Sequence, residues 1–405
     1  MAVRAAHVRS AIAPVQHVLG LAIAVALYIL LLRLGLRPWV AALGCLPVLV
    51  DGYQIMLEQF ILAETLFQAL IVAAFFALLW NERVSWLAGA LDAVLVSLAA
   101  LTRVVGLALI PIVIVYVVVR RRSATAVAST IVASVVPLLA YAGWYDSVHG
   151  QFELTGNTWI TLYGRLAPIA DCEKLELPPR ESVLCDRLPV AKRPSPNYYV
   201  FHPASPATRL PATRRNDALR DFSKQVIVHQ PETYLRLVGG EFLHYFAPVR
   251  TTGRWDDPVE AYRFGEHLPA PPFVALLPDY PLERLLSKTP LVFRHIPFPN
   301  KQPSAGIAGF LRWYQDVATS PGPLIALAAL LGILGAFARR APGRRSLRAE
   351  SALLATSGLA LLVTPVATVI FDYRFLVPAL PLLSAGGVVG ATSILRSRGH
   401  RAGGP

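Results

Sequence analysis

Nine apolar runs, most of them separated by short loops and two by a long polar segment, limit the folds open to this chain. A membrane-spanning helix needs about 20 apolar residues, or somewhat fewer where the bilayer adapts. Trp39–Val50 is short, and Val84–Leu101 continues almost directly into Val104–Val119. The pattern therefore predicts an all-α polytopic membrane protein with about nine transmembrane helices. The runs are roughly Pro14–Leu34, Trp39–Val50, Phe60–Trp80, Val84–Leu101, Val104–Val119, Ala124–Trp144, Pro321–Ala338, Ser351–Ile370 and Phe375–Leu395.

The charge balance is explained by membrane orientation. Only 16% of the residues are charged, against about 25% in a typical soluble protein. The net charge of +13 comes mostly from arginines in short loops. A nucleic-acid site would instead need a basic patch on one surface, so we expect membrane lipids and no nucleic acid as partners.

The loop arginines also set a direction for the chain. If the chain crosses nine times they share one side, which the positive-inside rule makes cytoplasmic. Tyr145–Ser320 then forms an extracytoplasmic domain at the plasma membrane, inserted between a bundle of residues 1–144 and a C-terminal part of residues 321–405. The arginines used are Arg33, Arg37, Arg83, Arg120, Arg121, Arg122, Arg339, Arg340, Arg344, Arg345, Arg348, Arg396, Arg398 and Arg401.

The stretch Asp51–Phe67 places three carboxylates where the chain should leave and re-enter the membrane. Carboxylates near lipid are costly, so Asp51, Glu58 and Glu64 are candidates for function. If Asp51–Glu58 is helical, the first two lie about two turns apart on one face, which could bind a divalent cation or position an acceptor. The alternatives are that Asp51 caps a helix and that Glu58 is solvated.

The inserted segment contains two helical patterns and two cysteines. Apolar positions predict helices over Asn216–Val228 and Pro231–Phe246. Cys172 and Cys185 lie in a segment assigned to an oxidising compartment, which favours a disulfide over two free thiols.

Several motifs together carry a family resemblance. They are the run Gln16–Leu34, the ALGCLP helix that contains Cys45, LAETLF at Leu62–Phe67, LTRVVGL at Leu101–Leu107 and DYRFLVPALPL at Asp372–Leu382. In order and in sidedness they resemble the GT-C superfamily of polyprenyl-phosphate-dependent glycosyltransferases, which includes protein O-mannosyltransferases and aminoarabinose transferases. The resemblance implies a GT-C-like fold. It also implies transfer of a sugar from a polyprenyl-phosphate donor to an acceptor on the outer face of the membrane.

The resemblance also suggests roles for individual residues. Glu64 matches the family's helix-start glutamate and ranks first as the catalytic carboxylate, with Asp51 and Glu58 beside it. Arg103 and Arg374, with Tyr373, are expected to hold the donor phosphate, because a guanidinium group pairs bidentately with phosphate oxygens. The alternative for the two arginines is an interfacial role without substrate contact.

The chain departs from the family at its start. It begins just before the family's second helix, so no residue matches the acid of the first outer loop, and nine crossings put the basic Arg4 and Arg9 outside. The expected alternatives are a truncated or catalytically inactive GT-C-like protein, or a transporter or flippase of a lipid-linked saccharide. For a transporter, Asp92 is the clear mid-span acid.

Overall fold

The computed structural model describes residues 2–60, 62–120, 124–264, 305–339 and 345–398. Within these ranges the chain forms α-helices, short 3-10 turns and irregular segments, with no β-strand. The arginines at 121, 122, 340, 344 and 401 lie outside the described residues, as do the side chains of Arg4, Arg9 and Arg398.

Fifteen α-helices are described, and each predicted apolar run coincides with one of them. The first eleven are α1 (Ala2–Arg33), α2 (Pro38–Val50), α3 (Gly52–Leu57), α4 (Glu64–Leu79), α5 (Trp86–Thr102), α6 (Leu109–Arg120), α7 (Ala124–His149), α8 (Thr158–Leu166), α9 (Pro196–Phe201), α10 (Ala212–His229) and α11 (Pro231–His244). The last four are α12 (Ala305–Val317), α13 (Gly322–Ala336), α14 (Arg348–Thr368) and α15 (Leu380–Arg398).

Length and composition support a helical membrane protein. Four helical stretches are long and apolar enough to cross a bilayer, in α1, α7, α14 and the 25-residue stretch Tyr373–Ser397 that ends with α15. A fifth candidate is α12 with α13, which meet at a 45° bend. Helices α2, α4, α5 and α6 are apolar but shorter. Nine crossings therefore stay a prediction.

Helix ends differ from the predicted runs where polar residues or proline intervene. Helix α4 begins at Glu64 rather than at Phe60, and a 3-10 turn over Val104–Ala108 precedes α6. Another 3-10 turn, Tyr373–Ala379, contains Pro378 and delays the start of α15 to Leu380. Gly35, with φ +82°, closes the C-terminus of α1 in the left-handed conformation that favours glycine.

The bundle packs around α15, which contacts α1, α2, α4, α13 and α14. Small residues bring α13 and α15 close together: an added Cβ at Gly390 would lie 2.1 Å from the Leu331 carbonyl oxygen. Close backbone approach of this kind is characteristic of helix pairs in membranes.

The two ends of the bundle differ in charge. One end, here called the arginine end, is defined by Arg33, Arg120 and Arg396. Arg33 Nε donates to the Trp80 carbonyl and Arg120 Nη2 lies 2.7 Å from Glu350 Oε1, whose side chain is fully buried. The opposite end, called the acidic end, is defined by Asp51, Glu64 and Arg103.

The inserted segment has a hydrophobic core of its own. Tyr163, Tyr199 and Phe222 are fully buried there, among residues of α8, α9 and α10. Cys172 and Cys185 form a disulfide with their Cα atoms 6.0 Å apart. The two predicted helices correspond to α10 and α11. Helix α11 packs on α14, and the Tyr234 hydroxyl donates to the Ala367 carbonyl.

Candidate functional site

The acidic end brings three of the predicted site residues into one cluster. Glu64 is the first residue of α4 and Arg103 follows α5, and the two form an ion pair. The guanidinium groups of Arg103 and Arg374 lie 5.1 and 5.0 Å from the ring centroid of Phe375. Glu64 also acts electrostatically on Arg374. Residues from three separate motifs therefore meet at one place.

Arg374 is held by the inserted segment as well as by its own turn. Its Nε lies 2.8 Å from Asp372 Oδ2, and its Nη1 donates to the Tyr262 hydroxyl at 3.1 Å. Asp257 lies against Asp372 and accepts a hydrogen bond from Asn197 Nδ2 at 2.5 Å. Burial raises the pKa of Asp372 to about 7 and also raises the pKa of Asp257, so this carboxyl pair retains a proton near neutral pH.

Asp51 is the N-cap of α3. Its Oδ1 accepts the backbone N–H groups of Tyr53 and Gln54, and its Oδ2 accepts that of Ser320 at 2.7 Å. The side chain is fully buried, and Arg250 Nη2 lies 3.8 Å from Oδ2. Both carboxyl oxygens thus have backbone donors, and Asp51 joins α3 to the start of α13.

Glu58 faces α1 and not the space beside Asp51. Its oxygens contact His17 Nδ1 at 2.6 Å and Gln54 Nε2 at 3.0 Å, and Gly20 leaves room for the carboxylate. Burial raises the pKa of Glu58, although Gln54 and His17 oppose this effect. Asp51 and Glu58 therefore do not present one common face to a cation. Among the described residues, no three His, Cys, Asp or Glu side chains form a group that could hold a metal ion.

A third arginine, which the sequence reasoning missed, lies beside this cluster. The Arg250 guanidinium lies 4.8 Å from the ring centroid of Tyr53 and 5.1 Å from that of Tyr373. Its Nη1 is buried without a hydrogen bond, as are the hydroxyls of Tyr53 and Tyr373, the latter with the Thr251 backbone nearby. Burial raises the pKa of Tyr53, so its hydroxyl remains a proton donor. Arg250 and the two tyrosines whose rings it contacts thus each carry a buried donor that lacks an acceptor.

Tyr53 and Arg250 line a cavity of about 390 Å³ at the acidic end. An apolar groove of about 310 Å³ lies next to it, between α2, α13 and α15. The two spaces share four residues at the α12–α13 junction, namely Val317, Thr319, Ser320 and Pro321. A polar cavity and an apolar groove with a common wall fit a ligand that has an anionic head and a hydrocarbon tail.

A sequence signal could have pointed to one of the two missed residues. Tyr53 lies inside the acidic stretch, two residues after Asp51, and a tyrosine there could have been included with the carboxylates. Arg250 lies in an irregular loop among prolines and other arginines, with no motif to distinguish it. Its position depends on how the inserted segment folds back onto α3, which no local pattern reveals.

Comparison with protein-family models, with curated proteins and with solved structures finds no match for this chain.

Proposed function

We propose that this chain is a membrane glycosyltransferase that takes a sugar from a polyprenyl-phosphate donor, with the acidic end facing the outer side of the plasma membrane. The supporting observation is that two residues with unsatisfied buried donors, Arg250 at Nη1 and Tyr53 at its hydroxyl, line a cavity that adjoins an apolar groove. Buried donors without acceptors are costly, and an anion bound beside Arg250 and Tyr53 would satisfy both.

The donor phosphate would bind between Arg250 and the Arg374 side of the cluster. Both arginines act electrostatically on Tyr53, so its hydroxyl lies within reach of the charge of each. Arg103 and Arg374 already pair with Glu64 and Asp372, whereas Arg250 has a nitrogen to spare. In this proposal Arg250 makes the primary phosphate contact, and Arg374 and Arg103 supply positive charge behind it.

The reaction breaks the bond between the sugar C1 and the phosphate oxygen, and forms a bond between C1 and an acceptor hydroxyl oxygen. A base takes the hydroxyl proton, and polyprenyl phosphate leaves as the anion. Of the three predicted carboxylates, Glu64 keeps an oxygen, Oε2, that is buried and without a hydrogen bond. Both oxygens of Asp51 and of Glu58 are occupied. Glu64 therefore remains the preferred base.

Binding and transfer can be measured separately on protein in lipid nanodiscs. Arg250→Ala should weaken binding of a polyprenyl phosphate about tenfold or more, because a charge-assisted hydrogen bond contributes about 1.5–3 kcal/mol. Binding of the matching neutral polyprenol should not change. Tyr53→Phe should give a smaller loss. Glu64→Gln should leave polyprenyl-phosphate binding intact but abolish transfer from a panel of radiolabelled polyprenyl-phosphate sugars.

The control is Arg254→Ala, because Arg254 is exposed in the same loop and stacks on Trp255 outside the cavity. Equal affinity of the parent and Arg250→Ala for the phosphate would contradict the proposed donor site. Binding without transfer in the parent protein, across the whole panel of sugars, would favour an inactive GT-C-like protein.

The transporter alternative depends on Asp92. This carboxyl is fully buried in α5, and neither of its oxygens accepts a hydrogen bond from the described residues. A transported polar ligand would need further polar groups along the bundle, whereas the cavity described above lies at one end. Loss of lipid flipping in Asp92→Asn with transfer unaffected would support that alternative.

A further inference from the structure

Helix α12 carries an apolar stripe on its exposed side. Phe310, Trp313 and Val317 follow the i, i+3, i+7 spacing of one helix face, and their exposed fractions are 59%, 58% and 62%. This spacing places the three side chains along about two turns of one face. Large apolar side chains in a continuous exposed row mark a surface that contacts something other than water.

The opposite face of α12 is fixed to the protein by polar contacts. Gln315 is buried, donates to the carbonyls of Tyr262 and Gly52, and accepts from the Phe264 backbone N–H. On the flank between the two faces, the Tyr314 hydroxyl donates to the Val50 carbonyl at 2.8 Å. The apolar face therefore points away from a rigid polar support, and α12 cannot turn to bury it.

The apolar stripe continues into a surface of the same character. After a break at residues 318–321, α13 exposes a row of leucines, Leu324, Leu327, Leu330 and Leu334, with exposed fractions of 47–60%. Helices α12 and α13 together are a candidate for one membrane span, and they meet at 45°. The outward face of α13 would lie against acyl chains, and the α12 stripe extends that face at the acidic end.

We propose that α12 is an interfacial helix, whose face of Phe310, Trp313 and Val317 is inserted into the adjacent leaflet while its polar face carries the inserted segment. Tryptophan suits this depth because its ring is apolar and its N–H is polar. An amphipathic helix of this kind lies at the boundary between headgroups and acyl chains. The insertion would hold the α12–α13 junction, which lines both cavity and groove, at the level of the lipid headgroups.

This inference does not depend on glycosyl transfer, and a depth measurement tests it. Single cysteines would replace Phe310, Trp313 and, as a control on the exposed polar side, Asp316, each in a Cys45→Ala chain. Each would be labelled with the fluorophore NBD and reconstituted in phosphatidylcholine–phosphatidylglycerol vesicles. Leu327→Cys reports the acyl-chain region and Lys224→Cys reports water.

Labels at 310 and 313 should be quenched several-fold more by a lipid with a doxyl group at carbon 5 than by aqueous iodide, and less by one at carbon 12. The label at position 316 should be quenched more by iodide than the labels at 310 and 313. The label at position 327 should be quenched most by the lipid with its doxyl group at carbon 12. Iodide quenching at 310 and 313 without lipid quenching would overturn the inference, as would protection from both, which would indicate a protein cover such as a second copy.

A measurement on the unaltered chain guards against disturbance by the labels. A diazirine-bearing phospholipid should crosslink to the peptide that contains Phe310 and Trp313 in the parent protein. Crosslinks on the α13 leucines but none on α12 would also overturn the inference.

Discussion

The carboxyls of Asp257 and Asp372 are the most unusual pair in the described residues. They lie against each other where the inserted segment meets the bundle, and Asp257 N–H donates to the Phe371 carbonyl. Two like charges in contact cannot both ionise at low cost, so one proton is shared. The Arg374 guanidinium neutralises the charge that remains.

The pair should make stability depend on pH. The pKa of Asp372 is about 7 in the folded chain, against an ordinary value of 3.8. The folded state therefore binds more protons than the unfolded state between these values, and stability falls as pH rises from about 4 to about 7. Above that range the full loss of stability is present. We expect the thermal unfolding temperature in detergent to decrease over this interval.

Asp257→Asn tests the assignment, because an amide can donate permanently to Asp372 and still accept from Asn197. The variant should show a flatter pH dependence than the parent protein. Asp146→Asn, an exposed carboxyl on α7, serves as the control and should keep the parent's slope. Identical slopes for the parent and Asp257→Asn would mean that another group causes the dependence.

Site residues next to helix ends could be predicted, and those that depend on long-range folding could not. Glu64, Arg103 and Arg374 each stand at a helix terminus beside an apolar run, so sidedness alone placed them together. The side chains that complete the cluster, Arg250 and Asp257, are separated by more than a hundred residues from the bundle residues that they contact. Their charge was visible in the sequence, but their neighbours were not.

At the scale of elements, the contact of α13 with α15 depends on glycine. Gly335 and Gly390 face each other so closely that a Cβ on Gly335 would lie 2.3 Å from the Gly390 Cα. Neither backbone can retreat without moving a whole helix, because α15 packs on the rest of the bundle. This contact rests on matched shape more than on burial of large side chains.

Gly390→Ala should therefore destabilise the bundle. Its Cβ would meet the Leu331 carbonyl oxygen, and overpacking of this kind costs about 1–3 kcal/mol even though alanine favours helix. Gly143→Ala in α7 is the matched control, because nothing lies within 4 Å of its Cβ position. Thermal unfolding in one detergent would compare both variants with the parent protein. A midpoint for Gly390→Ala equal to or above that of the parent would show that α13 and α15 separate freely.

The apolar runs predicted the helices well, but not where they end. Hydrophobicity reports which residues avoid water and does not distinguish an α-helix from the 3-10 turn at Tyr373–Ala379. The apolar pattern also does not predict the bend between α12 and α13, since it indicates only a span that begins at Pro321. The predicted helix over Asp51–Glu58 became the shorter α3, with those two residues as its caps.

At the scale of the whole molecule, the site is built jointly by the inserted segment and the bundle. Arg250, Asp257 and Tyr262 come from the inserted segment, whereas Tyr53, Glu64 and Arg374 come from the bundle. The Tyr245 hydroxyl donates to the Asp372 carbonyl and helps to hold the two parts together. Inside the inserted segment, Arg165 forms two hydrogen bonds with Glu241 at 2.8 and 2.6 Å, which tie α8 to α11 beneath this contact.

The orientation predicted from the loop arginines requires the chain to pass between the two ends of the bundle in three consecutive helices. Helix α5 runs from the arginine end to Arg103, and α6 returns to Arg120, whose Nη2 donates to the Glu82 carbonyl beside the start of α5. Helix α7 then leads back to the inserted segment. Three crossings separate residue 81 from residue 224 if α5, with 17 residues, and α6, with 12 residues after its 3-10 turn, both span the bilayer.

Cysteine accessibility in intact cells would test those crossings. Asn81→Cys and Lys224→Cys, both exposed positions, would each be made in a Cys45→Ala chain and treated with a membrane-impermeant maleimide. Lys224→Cys should react in intact cells, and Asn81→Cys only after permeabilisation, because the loop arginines hold position 81 inside. Reaction of both from outside would mean that an even number of crossings, two or none, separates the two positions. At least one of α5, α6 and α7 would then not span the bilayer, and the predicted orientation would be wrong.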